Sequence, residues 1–332
     1  MKRIITCSDG TWNSPSKNEQ TNVQKIFEAI CNIDNKGVNQ IKFYDQGVGT
    51  SGGKFRKIYD GATGKGLDDN ILDAYKFILW NYVPGDEIYL FGFSRGAYTA
   101  RSLAGLIYKC GILRNNDLNL IKKAYKLYRD GDLKPSSAVA TKFREKYSHP
   151  EQVIRFIGVW DTVGALGIPL RWFELVNQNK YRFHDTKLNA KVQFAHQALA
   201  IDEKRTNFVP VIWQQDEHIA ERNPGQVLEQ VWFSGVHSNI GGGYPNQGLS
   251  DIALKWMVEK AEAAGLGFEK LYLEEHLNPN VKGKLYESNG FPFNLAGEHI
   301  REIGKQIRGN ESVHFTVKER LEARRKRKPD NI

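Results

Sequence analysis

The sequence predicts an α/β fold: a mostly parallel sheet with helices on both faces and peripheral helical insertions. Two observations carry this. Apolar runs of strand length alternate along the chain with segments of helical apolar period. The runs are nearly continuous, as in "EIYLFGF" (87–93), which is what a strand covered on both faces requires. No internal repeat and no Pro/Ser-rich linker divides the 332 residues, so one domain over 1–318 is expected, with a basic tail over 319–332.

In chain order, "RIITC" (3–7) reads as a buried first strand that runs into Ser8-Asp9-Gly10. Val23, Ile26, Phe27 and Ile30 share one face of a helix over 22–31. "IKFYDQGVG" (41–49) reads as a second strand and a glycine loop, which continues through "TSGGK" and "GATGKG". Ile71, Leu72, Tyr75, Ile78, Leu79 and Tyr82 line a helix over 69–83, stopped by Pro84-Gly85-Asp86. The strand 87–93 follows, then a helix from Ala97 to Tyr108. Residues 115–150 are polar and charged and read as peripheral helices. "VIRFIGVWD" (153–161) is another buried strand, and "VQFAHQALAIDEKR" (192–205) reads as a helix. "QVWFSGVHS" (230–238) reads as a strand ending at His237, and "DIALKWMVEKAEAAG" (251–265) as an amphipathic helix. The remainder reads as irregular and closes on the basic "ARRKRKP" (323–329).

Composition narrows the class. Hydrophobic residues make up 40% and aromatics 11%, enough for a sizeable core and too much for a disordered chain. Three cysteines with no C-x-x-C spacing fit a reducing compartment and no disulfide framework. The N-terminal apolar run is short and broken by Asp9, so no signal peptide is expected. The protein is expected in the cytoplasm where it is made, with any export independent of a cleavable leader. The formal charge of +9 suits acidic surfaces, and the basic tail suits an anionic membrane. The same tail also reads as merely solvated, and no nucleic-acid partner is expected.

The segment with chemistry in it is Gly92-Phe93-Ser94-Arg95-Gly96, between an apolar strand and a helix. Gly-x-Ser-x-Gly in that context is a nucleophile elbow. The turn lifts the hydroxyl above the carboxyl edge of the sheet, and the glycines remove side chains that would collide there. The helix N-terminus then faces the site, and the N–H of Arg95 can hold an oxyanion. The plain alternative is a structural turn.

A serine needs a base, and the base an orienting acid. Among eight histidines, His237 stands out: it follows a strand and precedes "SNIGGGY", where glycines allow close backbone approach. It can also be read as an ordinary loop residue. For the acid, Asp161 ends the strand "FIGVWD". Asp202 and Asp251 are rivals. Asp202 reads as part of a helix with an ion-pair network through Glu203 and Arg205. Asp251 reads as a helix-start cap.

Six blocks occur in order: "CSDGTWN", "GFSRGAYTAR", "FIGVWDTVG", "ALAIDEKR", "FVPVIW" and "VWFSGVHSNIGGGY". Together they resemble the catalytic domain of the first class of type VI lipase effectors. That family consists of α/β-hydrolases and includes type VI secretion phospholipases. The resemblance covers residues 1 to about 265. It implies an α/β-hydrolase-like fold and a serine esterase or phospholipase acting on a lipid or other acyl ester. It maps the nucleophile to Ser94, the histidine to His237 and the acid to Asp161. It also gives the "SDGTW" turn a role, with the backbone N–H of Gly10 or Thr11 as second oxyanion donor; alone, Asp-Gly is also an ordinary turn. The chain departs from the family at Ser238-Asn239, where members often carry Ser-Asp, so a charge beside the base differs. No counterpart of the membrane-associating C-terminal part of the better-known effectors is expected in these 332 residues. The resemblance therefore implies the esterase chemistry more than the effector role. The competing function is a non-catalytic binding module on a retained hydrolase scaffold that recognises an anionic ligand.

Other signals are not chemical. "GATGKG" and "TSGGKF" miss the phosphate-loop spacing. No His-Glu-x-x-His and no Cys/His ligand spacing appears, so no metal and no cofactor are expected. "LRWF" (170–173) reads as cap over the pocket or as core packing.

Overall fold

The computed structural model describes residues 1–10, 19–47, 65–163, 187–289, 297–306 and 308–325. Most of the glycine loop, "LRWF" and the end of the basic tail lie outside the described residues. The chain begins with β1 (Arg3–Ser8), α1 (Asn22–Ala29) and β2 (Gln40–Asp45). It continues with α2 (Lys65–Asn81), β3 (Glu87–Phe93), α3 (Arg95–Cys110), α4 (Leu118–Arg129), α5 (Ala138–Tyr147) and β4 (Ile154–Trp160). Then come β5 (Val192–Ala200), the short α6 (Ile219–Arg222), β6 (Val227–Phe233) and α7 (His237–Gly241). The last elements are α8 (Gly248–Ala263), α9 (Lys270–His276), β7 (Glu311–Val313) and α10 (Phe315–Arg325).

The strands form one seven-stranded sheet in the order β2-β1-β3-β4-β5-β6-β7, with every neighbouring pair parallel. This is the α/β-hydrolase-like arrangement. Side chains alternate between two cores because successive strand residues point to opposite faces. Ile4, Ile88, Leu90, Ile157 and Val159 pack with Ile71, Leu103, Ile121 and Phe143 of α2 to α5. Ile5, Phe91, Phe93, Phe156 and Trp160 pack on the other face with Ile26 of α1 and Leu254 and Met257 of α8. From β1 the chain goes out to β2, then returns past β1 to β3. The order thus reverses between β1 and β3, and the crevice outside the carboxyl ends of strands at such a point is where ligands bind in open α/β sheets.

Two expectations are corrected. Residues 192–205 are not a helix: Val192–Ala200 is the fifth strand, between β4 and β6. Val192, Ala195 and Leu199 fit a helical period, but small residues and an apolar run also suit a strand covered on both faces. Its polar Gln197 is buried and satisfied by Thr162 (2.5 Å), Val211 O (3.1 Å) and Gln230 (2.9 Å). The region after 265 is not irregular throughout. It holds α9, β7 and α10, and α10 runs across residue 319, where the tail is expected to begin.

The rival acids are accounted for by the fold. Asp202 lies in the loop after β5, not in a helix, and accepts the Gly235 N–H at 2.7 Å. The expected Glu203–Arg205 pair is present and bidentate, at 2.9 and 3.0 Å. Asp251 lies in the first turn of α8 and is paired with Lys25 of α1 at 2.7 Å, with the two side chains 3% and 2% exposed. Removing one member of such a buried pair strands the other charge. Lys25→Met should therefore lower stability by about 3–5 kcal/mol, read as a shifted urea midpoint. An unchanged midpoint would show that α1 and α8 are not held through this pair.

Candidate active site

β3 is apolar and buried until it reaches Ser94, which caps α3 in a left-handed conformation (φ 58°, ψ −118°). That region is costly for a residue with a side chain and persists only where the surroundings over-determine it. Here they do. Ser94 N–H donates to Trp160 O of β4 at 3.0 Å, and Ser94 O accepts from Tyr98 N at 3.2 Å. A Cβ at Gly92 would lie 2.3 Å from Gly96 O, and one at Gly96 would lie 2.0 Å from Ser8 O. Both glycines of the motif are thus needed, and the second lets α3 press against the end of β1. Arg95 is the first residue of α3, so its N–H belongs to the helix N-terminus beside Ser94. Burial pushes its guanidinium down to about 10.

Asp161 follows β4, the strand beside β3, and also has a left-handed backbone (φ 42°). Among the described residues only Ser94, Asp161 and Asn310 combine a side chain with positive φ, and two of these lie on this rim of the sheet. Asp161 is fully buried, with its N–H on Ala198 O at 2.8 Å. His237 opens α7, just after β6. Its Nδ1 lies 2.6 Å from Asp161 Oδ2. Its ring is held between Phe93, the residue before Ser94, at 4.7 Å, and Phe208, edge-on at 4.9 Å.

Two further groups hold this pair. Arg301 donates to both Asp161 oxygens, Nη1 to Oδ1 at 2.6 Å and Nη2 to Oδ2 at 3.0 Å. Glu203 accepts the backbone N–H of His237 at 3.2 Å. Burial alone would raise the Asp161 carboxyl, but the Arg301 guanidinium and His237 outweigh it and hold the group well below the usual carboxylate range. Asp161 is therefore an anion at neutral pH. Such a partner at Nδ1 fixes the tautomer that leaves Nε2 as the ring's acceptor.

The structure therefore brings Asp161 and His237 into direct contact and sets Ser94 at the neighbouring strand end, with Phe93 as the link to the imidazole. The Asp9-Gly10 turn reaches the same place, because Gly96 packs on the Ser8 and Asp9 carbonyls. Gly10 N–H donates to Asp9 Oδ1 at 2.6 Å, and Asp9 Oδ2 also accepts from Tyr44 at 2.7 Å. Thr11 lies outside the described residues. Neither Arg301 nor the contact of Glu203 with His237 is announced by the sequence. "EHIREIG" contains no motif, and its partner lies 140 residues away. Glu203 has a local signal only as the partner of Arg205.

The three cysteines are buried and unpaired, and burial pushes the Cys110 thiol up to about 12, which suits packing rather than nucleophilic chemistry. Among the described residues no group of three or more His, Cys, Asp or Glu could hold a metal ion. Among them, too, no helix is long and apolar enough to cross a membrane.

A family model described as "T6SS, Phospholipase effector Tle1-like, catalytic domain" matches residues 2–260. An uncharacterized protein of Saccharomyces cerevisiae is 31% identical over 228 residues, 62% of this chain and 32% of its own length. A crystal structure of an uncharacterized protein from Pseudomonas aeruginosa superposes with a TM-score of 0.52 at 18% identity, over 85% of this chain and 49% of its own. The Tle1 effector bound to the VgrG spike of the Type 6 secretion system aligns at a TM-score of 0.42 and 22% identity, over 74% of this chain and 51% of its own. The chain thus spans about a third of the yeast relative (32%) and about half of the Pseudomonas protein (49%). The solved structure at a TM-score of 0.52 agrees with the fold. The family match extends across β1, the elbow, Asp161 and His237. This chain belongs to the family of Tle1-like phospholipase effector catalytic domains of the type VI secretion system.

Proposed function

We propose that this protein is a serine hydrolase of carboxylic esters, with phospholipids or related acyl lipids as substrates. The observation that carries the reading is the buried Asp161–His237 hydrogen bond (2.6 Å) on the same sheet edge as Ser94 in its left-handed elbow. Membership in a family named for phospholipase effectors supports the lipid substrate. It also supports export of the protein.

In the proposed reaction, His237 Nε2 takes the proton from Ser94 Oγ as the oxygen attacks the acyl carbonyl. The N–H of Arg95 holds the oxyanion of the tetrahedral intermediate, and the N–H of Gly10 or Thr11 completes the hole. For Gly10 this means exchanging its present acceptor, Asp9 Oδ1, for the oxyanion. One such donor contributes on the order of 10²–10³ in rate. The intermediate collapses to an acyl-Ser94 ester, and the imidazolium protonates the leaving alcohol oxygen. Water, deprotonated by His237, then attacks the acyl-enzyme, and the imidazolium returns the proton to Ser94 Oγ as the fatty acid leaves. Asp161 keeps the imidazole in its reactive tautomer and stabilises its cation.

Purified protein mixed with phospholipid vesicles should release fatty acid and lysophospholipid, and release should stop after fluorophosphonate treatment. Vesicles left intact, together with no turnover of soluble short-chain esters, would favour a binding module on this scaffold.

A further inference from the structure

The groups that hold Asp161 are not evenly placed along the chain. The family match ends at residue 260, yet the residue that grips the Asp161 carboxylate is Arg301. Its side chain is 1% exposed. It donates to four oxygens: the two of Asp161 (2.6 and 3.0 Å), Ala200 O (2.8 Å) and Phe208 O (2.5 Å). Its backbone is docked as well. His299 N–H donates to Lys204 O at 2.8 Å, and Glu298 bridges antiparallel to Arg205.

We propose that Arg301 is a positioning residue, supplied from beyond the residues that the family model matches, that fixes the orientation of the Asp161–His237 pair. This rests on the hydrolase reading above. Two contacts carry it. The planar guanidinium fork matches both carboxylate oxygens, which sets the plane of Asp161 and hence the direction of its bond to Nδ1. The same guanidinium holds the carbonyl of Phe208, whose ring meets the imidazole edge-on at 4.9 Å. Arg301 therefore fixes His237 from two sides without touching it.

The test is the kcat and KM of a soluble short-chain ester's hydrolysis by wild type, Arg301→Gln and Arg301→Lys, with a thermal melt of each. Arg301→Gln should lower kcat by roughly 10–100-fold, the scale of a small misplacement of a catalytic group. KM should change by no more than about twofold. Arg301→Lys keeps the charge but not the fork. It should recover part of the loss, with kcat several-fold below wild type and KM within the same twofold. A folded Arg301→Gln with wild-type kcat would overturn the proposal. So would an Arg301→Lys enzyme indistinguishable from wild type, which decides the matter if the glutamine variant does not fold. Wild-type turnover that persists in Ser94→Ala would instead remove the hydrolase reading, and this role with it.

Discussion

Ser94→Ala should abolish ester hydrolysis while the protein stays folded. Loss of the nucleophile of a serine–histidine unit lowers kcat by on the order of 10⁶, and the residual rate comes from binding and the oxyanion donors. Stability should change little. The fold holds the elbow through the backbone of Ser94, by its N–H on Trp160 O and its carbonyl on Tyr98 N, and alanine keeps both. The cost of the left-handed backbone is the same for either side chain. The denaturation midpoint should therefore correspond to a loss within about 1 kcal/mol. Both readouts are needed: wild-type turnover in the variant would remove Ser94 from the reaction, and an unfolded variant would mean that the hydroxyl is structural.

Asp161→Asn has the second largest expected effect, and it should show in two measurements. The amide would donate where the carboxylate accepts, or turn its oxygen to Nδ1 with no charge behind it. The wrong tautomer should then lower kcat by ~10⁴. The change also leaves the Arg301 guanidinium buried without its anion, which should cost about 3–5 kcal/mol. The other acids separate the two effects. Asp251→Asn strands Lys25 and should destabilise by a similar amount, yet leave kcat of the folded fraction unchanged. Asp202→Asn weakens one contact to Gly235 N–H and should have a smaller effect on stability. A loss of turnover in Asp251→Asn comparable to that in Asp161→Asn would mean that stability alone explains both.

How much of this was legible in the sequence depends on the range of the interactions involved. The elbow was legible because its constraints are local. Gly92 and Gly96 make room for each other and for Ser8, and an apolar strand precedes them. Asp161 and His237 were legible as residues that follow buried strands and precede small ones. Their 2.6 Å contact was not, because it depends on how β4, β5 and β6 lie side by side. The fifth strand is not legible as one, because "VQFAHQALA" satisfies two periods, and only its neighbours on both sides decide between them. The same ambiguity assigns Asp202 to a helix it does not occupy. Arg301 left no local trace at all. A buried guanidinium that pairs across 140 residues looks, in sequence, like any surface arginine beside a histidine and a glutamate.

The central assignment is that Ser94 carries the acyl group during turnover, and covalent trapping tests it most directly. The protein, mixed with a phospholipid or a slow short-chain ester and quenched in acid, should carry one added acyl mass. Peptide mapping should place that mass on Ser94, and the adduct should be absent from Ser94→Ala and His237→Ala. An acyl group found on another residue, or steady fatty-acid release with no adduct and no fluorophosphonate label on Ser94, would contradict it.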